Sequence, residues 1–209
     1  MQITPQDVLV VVDMQNDFCL GGALAVADGD AVIDVIHRAV PLFEHVILTQ
    51  DWHPAGHSSF ASVYAGKQPY DQVKLCYGMQ TLWPDHCVQG SRGAEFHPAL
   101  HLPQAELILR KGCRPQIDSY SAFFENDRVT PTGLAGYLQE RKLTRIFLAG
   151  LAYDFCVGYS ALDARWLGFE VVILHDGCRA INLGHSVDKI EAEFESAGVA
   201  VVESAQLFV

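Results

Sequence analysis

Basic side chains are scarce in this sequence. The 14 Lys and Arg stand against 25 Asp and Glu, a formal net charge of −11. Phosphate backbones are held by clustered cations, so a nucleic-acid partner is not expected. Long apolar runs are missing too: none approaches the roughly 20 residues that span a bilayer, so no membrane association is expected. The opening MQITPQDVLVVVDMQ lacks a charged stretch followed by a long apolar one. No secretory signal is therefore read, and the cytoplasm is the anticipated compartment. No C-x-x-C pair occurs among Cys19, Cys76, Cys87, Cys113, Cys156 and Cys178. Neither a zinc ribbon nor a thioredoxin-type motif is signalled, and free thiols are expected. The turn after the first apolar run reads DMQNDF, without the G-x-G-x-x-G that approaches a pyrophosphate. That argues against a dinucleotide-binding oxidoreductase. Repeats, linkers and low-complexity segments are also absent, so residues 1–209 read as one domain.

What is present is a globular composition, 50% hydrophobic and only 19% charged. Val8–Val12 is a continuous apolar, β-branched run, as in strands buried on both faces. Similar runs recur at His45–Thr49, Leu107–Leu109, Arg145–Ala149, Glu170–Leu174 and Val199–Val202. Helical patterns lie between them. Asp30–Leu42 is the first. Pro131–Arg141 is the next, with Thr130 as N-cap and Pro131 at the first helical position. Asp154–Leu167 is stopped by Gly168, and Ser186–Ala197 by Gly198. The alternation predicts a doubly wound, parallel, six-stranded sheet with helices on both faces. Asp51 to about Ala105 fits neither period, and so long a connection inside a compact domain is usually functional.

Ligands of open α/β sheets bind beyond the carboxyl ends of the strands. Several chemistry-bearing residues fall there. Asp13 follows the first run; burial would raise its pKa and suit it to proton transfer. Lys111 follows the third, a cation able to steady both a carboxylate and a thiolate. Cys156 lies where the fourth strand hands over to a helix and is read as the cap of that helix. There the helix dipole favours thiolate, and unpaired amides can receive an oxyanion. Cysteine is also common as a small buried hydrophobe. Asp51 and His53 sit two apart on an extended segment, so their side chains point the same way. An oxygen and an imidazole so placed suit a divalent ion, with His57, His86 and His97 as candidates for a third ligand.

The combination DMQNDFC (13–19), DWHPAGH (51–57), WPDHCVQG (83–90), KG (111–112) and GLAYDFCV (150–157) resembles the nicotinamidase/pyrazinamidase family. That family belongs to the isochorismatase-like cysteine hydrolases. The resemblance implies a three-layer α/β/α sandwich and hydrolysis of nicotinamide, and also pyrazinamide, through a cysteine thioester in NAD salvage. It implies Asp13, Lys111 and Cys156 as the catalytic triad, with the Ala152 and Cys156 amides as the oxyanion hole. A cis Leu151–Ala152 peptide is implied as well. The implied metal ligands are Asp51, His53 and His86, with His57 either joining them or supporting them. Zinc is the first expectation for the ion, with iron and manganese also compatible. Phe18, Trp83 and Tyr120 would wall the substrate pocket. A homo-oligomer is compatible with the resemblance. Tyr153 and Phe155 depart from many relatives, which bears on substrate access. Within the enzymes, the competing reading is an amidase for another small carboxamide or ureido compound. An isochorismate-cleaving relative fits less well, since those dispense with the nucleophilic cysteine. A non-enzymatic thiol sensor would need a resolving cysteine, and the sequence names none.

Overall fold

The computed structural model describes residues 1–208. Six strands form one sheet: β1 (Asp7–Val12), β2 (His45–Asp51), β5 (Leu107–Lys111), β6 (Arg145–Leu151), β7 (Glu170–Arg179) and β8 (Ala200–Val202). All neighbours pair in parallel, in the order β5-β2-β1-β6-β7-β8. The chain winds outward from β1 through β2 to β5, then returns to the other side of β1. The switch point therefore lies between β1 and β6, and the turns that follow these two strands flank it.

Side chains alternate across each strand, and the alternation divides the core. Leu9 and Val11 join Val32, Ile33 and Ile36 of α1 (Val32–Ala39) in one apolar layer. Val8, Val10 and Val12 join the opposite layer. It is built on α2 (Leu134–Glu140), α3 (Gly158–Trp166) and α4 (Ser186–Ala197). The expected three-layer, doubly wound architecture is thus the one observed. No helix among the described residues is long and apolar enough to cross a membrane.

Three expectations need correction. The second helix begins at Leu134, after Gly133 at φ 106°, and not at Pro131 with a Thr130 cap. Thr130 instead bonds back to Asp127, its hydroxyl at 2.6 Å and its amide at 2.8 Å, and Pro131 bridges Phe124. That local turn competes with the helix for the same backbone. The turn preceding α3 is a π-helical one, Tyr153–Val157, with Ala152 at its cap. Cys156 is therefore inside the first turn and not its cap. The aperiodic 51–105 connection contains a small antiparallel hairpin, β3 (Gln72–Leu75) with β4 (Gly78–Thr81), which the pattern did not reveal.

Candidate active site

Register brings the strand ends level. Asp51 pairs with Lys111 across β2 and β5, and Val12 with Gly150 across β1 and β6. At the switch point the two central strands approach so closely that a Cβ on Gly150 (φ 121°) would meet the Val12 carbonyl oxygen at 2.1 Å. Only glycine permits that approach. It draws the turns carrying Asp13 and Cys156 together.

Asp13 leaves β1 with φ 48°, in the left-handed region that Asp tolerates better than most residues. Its amide donates to Thr49 Oγ1 at 3.1 Å, and its Oδ1 accepts from the same hydroxyl at 2.6 Å. The carboxylate is thereby fixed with Oδ2 facing Lys111. Lys111 is 1% exposed. Its ammonium reaches Asp13 Oδ2 at 2.8 Å, Asp51 Oδ1 at 3.1 Å, the Ser119 carbonyl at 3.0 Å and Cys156 Sγ at 3.4 Å. Asp13, Lys111 and Cys156, expected together from the sequence, meet around this one nitrogen.

The electrostatics follow from burial. Desolvation raises the Asp13 carboxyl above its ordinary range, against the pull of Lys111. Desolvation also holds the Cys156 thiol well above its usual value, with Lys111 opposing and the Asp13 carboxylate adding to the rise. The dipole at the start of the helix therefore does not leave a resting thiolate: the proton stays on sulfur until a base takes it. Lys111 remains cationic despite burial, because Asp13 and Asp51 hold its charge.

The second cluster lies on the other side of Asp51. His53 Nδ1 bonds to the Gly112 carbonyl at 3.0 Å, and His86 Nδ1 to the Pro84 carbonyl at 2.8 Å. A carbonyl only accepts, so both rings carry a proton on Nδ1 and direct Nε2 at Asp51. Those two Nε2 atoms lie 3.0 and 3.3 Å from the same oxygen, Asp51 Oδ2. Three buried polar atoms converge there, and Asp51 raises the His53 pKa against the cost of burial, so the carboxylate draws positive charge, a proton or a metal cation, to this point. One carboxylate with two imidazoles is also the donor set of a divalent transition ion. The His53 ring packs against Gly112 (φ 66°), where a Cβ would meet its Cε1 at 2.5 Å.

The remaining candidates separate. His57 stacks on His53 at 4.3 Å between ring centroids, but both its nitrogens are engaged. Nδ1 meets Ser59 Oγ at 2.7 Å, and Nε2 meets the Arg114 carbonyl at 2.8 Å. His97 is not among the clustered residues and borders a different depression. Phe18, Trp83 and Tyr120 do line the cavity that contains Cys156, Ala152 and the Asp51/His53/His86 cluster. Phe155 stands edge-on to Trp83 at 5.0 Å and to Tyr120 at 5.5 Å, completing an aromatic enclosure. Tyr153, in contrast, turns away to pack on Phe194 and to bond Glu191. The Leu151–Ala152 peptide is cis, as expected.

Sequence reasoning missed the groups that hold these side chains. Asp154 accepts the Ile181 and Asn182 amides at 2.9 and 2.7 Å, tying the turn that carries Cys156 to a wall of the pocket. Gln15 continues the pairing of β2 where β1 has ended. Its Oε1 accepts the Asp51 amide at 2.7 Å and its Nε2 donates to the Asp51 carbonyl at 2.8 Å. Nothing in DMQNDFC distinguishes Gln15 from a surface glutamine. Gln15→Leu leaves two buried main-chain groups of Asp51 unpaired, so it should cost about 2–4 kcal/mol. Urea unfolding measures this, and a loss under about 0.5 kcal/mol would contradict the assigned role.

Residues 7–206 match the Isochorismatase domain family. Among curated relatives, the nicotinamidase of Acinetobacter baylyi is 49% identical, covering 96% of this chain and 94% of its own. A solved structure of PnC1 from L. infantum in complex with nicotinate superposes with a TM-score of 0.86 at 41% identity, covering 99% and 98% of the two chains. The pyrazinamidase of Pyrococcus horikoshii in complex with zinc gives 0.77 at 33% identity, covering 95% and 99%.

Proposed function

The chain belongs to the isochorismatase domain family, and from that premise we propose how its site hydrolyses nicotinamide to nicotinate and ammonia. One observation carries the assignment of roles: Lys111 Nζ sits within 2.8–3.4 Å of Asp13, Asp51 and Cys156 Sγ at once. This is the grouping an acyl transfer by a buried thiol requires. Asp13, its basicity raised by burial, takes the Cys156 proton while Lys111 balances the charge. The thiolate adds to the carboxamide carbon. The Ala152 and Cys156 amides receive the oxyanion, at roughly 3–4 kcal/mol per donor in comparable sites. Asp13 returns the proton to nitrogen as the carbon–nitrogen bond breaks and ammonia departs. Water then attacks the thioester, releasing nicotinate and restoring the thiol.

The site takes a divalent metal ion, for which we propose zinc held by Asp51, His53 and His86. When bound, the ion supplies a Lewis acid for the pyridine nitrogen and so orients the ring. His57 stands behind His53 as a support and not as a ligand, in keeping with its two engaged nitrogens. Phe18, Trp83 and Tyr120 hold the flat ring with its carboxamide toward Cys156. Pyrazinamide shares the ring nitrogen and the carboxamide and is accepted on the same terms. The six cysteines are free, in keeping with the reducing cytoplasm in which we place the enzyme and its supply of nicotinate to NAD salvage.

Ammonia release from nicotinamide tests this reading. Turnover is expected in metal-replete protein, a strong fall after treatment with a chelator, and recovery on adding zinc. No ammonia from metal-replete protein would overturn the reading.

A further inference from the structure

The β3–β4 hairpin meets solvent along most of its length, yet Gln80 within it is 1% exposed. An aliphatic side chain would fill that space without desolvating an amide. The bonds of this amide therefore need a reason. Its Nε2 has two hydrogens and three acceptors in reach, the Thr81 carbonyl at 2.7 Å, Asp118 Oδ2 at 2.9 Å and the Tyr120 hydroxyl at 3.0 Å, so one hydrogen is shared between two of them. Its Oε1 accepts from the Tyr77 hydroxyl at 2.9 Å and from Asn126 Nδ2 at 3.2 Å. Two of the partners of Nε2 only accept, which fixes the orientation of the amide.

Both side chains that Nε2 holds face the reaction site. The Tyr120 hydroxyl is also met by Trp83 Nε1 at 3.0 Å, so one oxygen joins two pocket walls to Gln80. Asp118 Oδ1 lies 3.8 Å from His53 Nε2, the same nitrogen that Asp51 Oδ2 approaches at 3.0 Å. The loop between them is pinned by the same group of residues. The Tyr120 amide donates to Asn126 Oδ1 at 3.0 Å, and the Asp118 amide to the Tyr77 hydroxyl at 3.3 Å.

We propose that Gln80 is a positioning residue: one buried amide, delivered by the hairpin, sets the Tyr120 wall of the pocket and the Asp118 carboxylate beside His53. The proposal rests on reading this cavity as the nicotinamide pocket. It acts through Tyr120 and Asp118 and does not touch substrate, so its signature is in ring binding more than in the chemical step.

The test compares wild type with Gln80→Leu in wild-type and Tyr120→Phe backgrounds. KM for nicotinamide should rise about tenfold in Gln80→Leu, with kcat changed by less than about threefold. In the Tyr120→Phe background the same substitution should have a much smaller effect, because the hydroxyl it positions is gone. A merely structural glutamine would lower the melting temperature and the active fraction while leaving KM in place. A rise in KM below about threefold, or an equal effect in both backgrounds, overturns the proposal. Should Gln80→Leu fail to fold, Tyr120→Phe alone must raise KM by at least about threefold, and an unchanged KM there overturns it too. Nicotinate affinity by calorimetry runs in parallel, independent of turnover. A wild type that releases no ammonia, yet binds nicotinate about tenfold more tightly than Gln80→Leu, fails the functional reading while upholding Gln80.

Discussion

Cys156→Ala should lose about 10,000-fold or more in turnover while keeping its fold. The sulfur is the only nucleophile on Lys111, whose other partners are the Asp13 and Asp51 carboxylates and a carbonyl. Without it, Asp13 has no proton to take, and water would have to attack an amide directly. The structural cost is small, because alanine leaves the Asp13–Lys111–Asp51 ion network whole and opens only the space of one atom. The melting temperature should move by no more than about 3 °C. Binding of the divalent ion by the proposed ligands Asp51, His53 and His86 should persist, since all three are untouched. Ordinary ammonia release from the folded variant would end the thioester mechanism.

Lys111→Met is expected to do something different: it should destabilise the protein by about 3–5 kcal/mol and abolish turnover together. The ammonium lies between two carboxylates that are themselves almost wholly buried, Asp13 at 0% and Asp51 at 3% exposure. Removing it leaves Asp13 without its counter-charge and Asp51 with only the partners on its Oδ2 side. The lost charge is also the one that balances Cys156 once its proton has gone. Urea unfolding of the variant measures the first effect, and a loss under about 1 kcal/mol would refute the account. Adding Asp13→Asn to Lys111→Met should recover part of the stability, since one uncompensated charge disappears with its partner. It should recover none of the activity.

The sheet was readable because strands buried on both faces must be apolar without interruption, and Val8–Val12 is so. The helix Ser186–Ala197 was found with its limits because Gly198, at φ 69°, ends it by the ordinary left-handed cap. The helix at Leu134 was misplaced by three residues because Thr130 and Pro131, good opening residues, are held in the preceding turn. The polar groups at strand ends could be read as chemistry because β-sheet topology decides where strand ends point. What could not be read is the support behind them. Thr49, Gln15 and Gln80 act through contacts 36 to 40 positions away, and no local period encodes these. Tyr120 was named only through resemblance, since its loop carries neither helical nor strand alternation.

Asp51 divides its two oxygens between two tasks: Oδ1 faces Lys111 and Oδ2 faces His53 and His86. Discarding the ion site by losing the histidines would strand Oδ2, while replacing Asp51 would unbalance the lysine that serves the thiol. A change on either side of Asp51 is therefore felt on the other, and replacing Asp51 calls for compensating changes at Lys111 and Asp13.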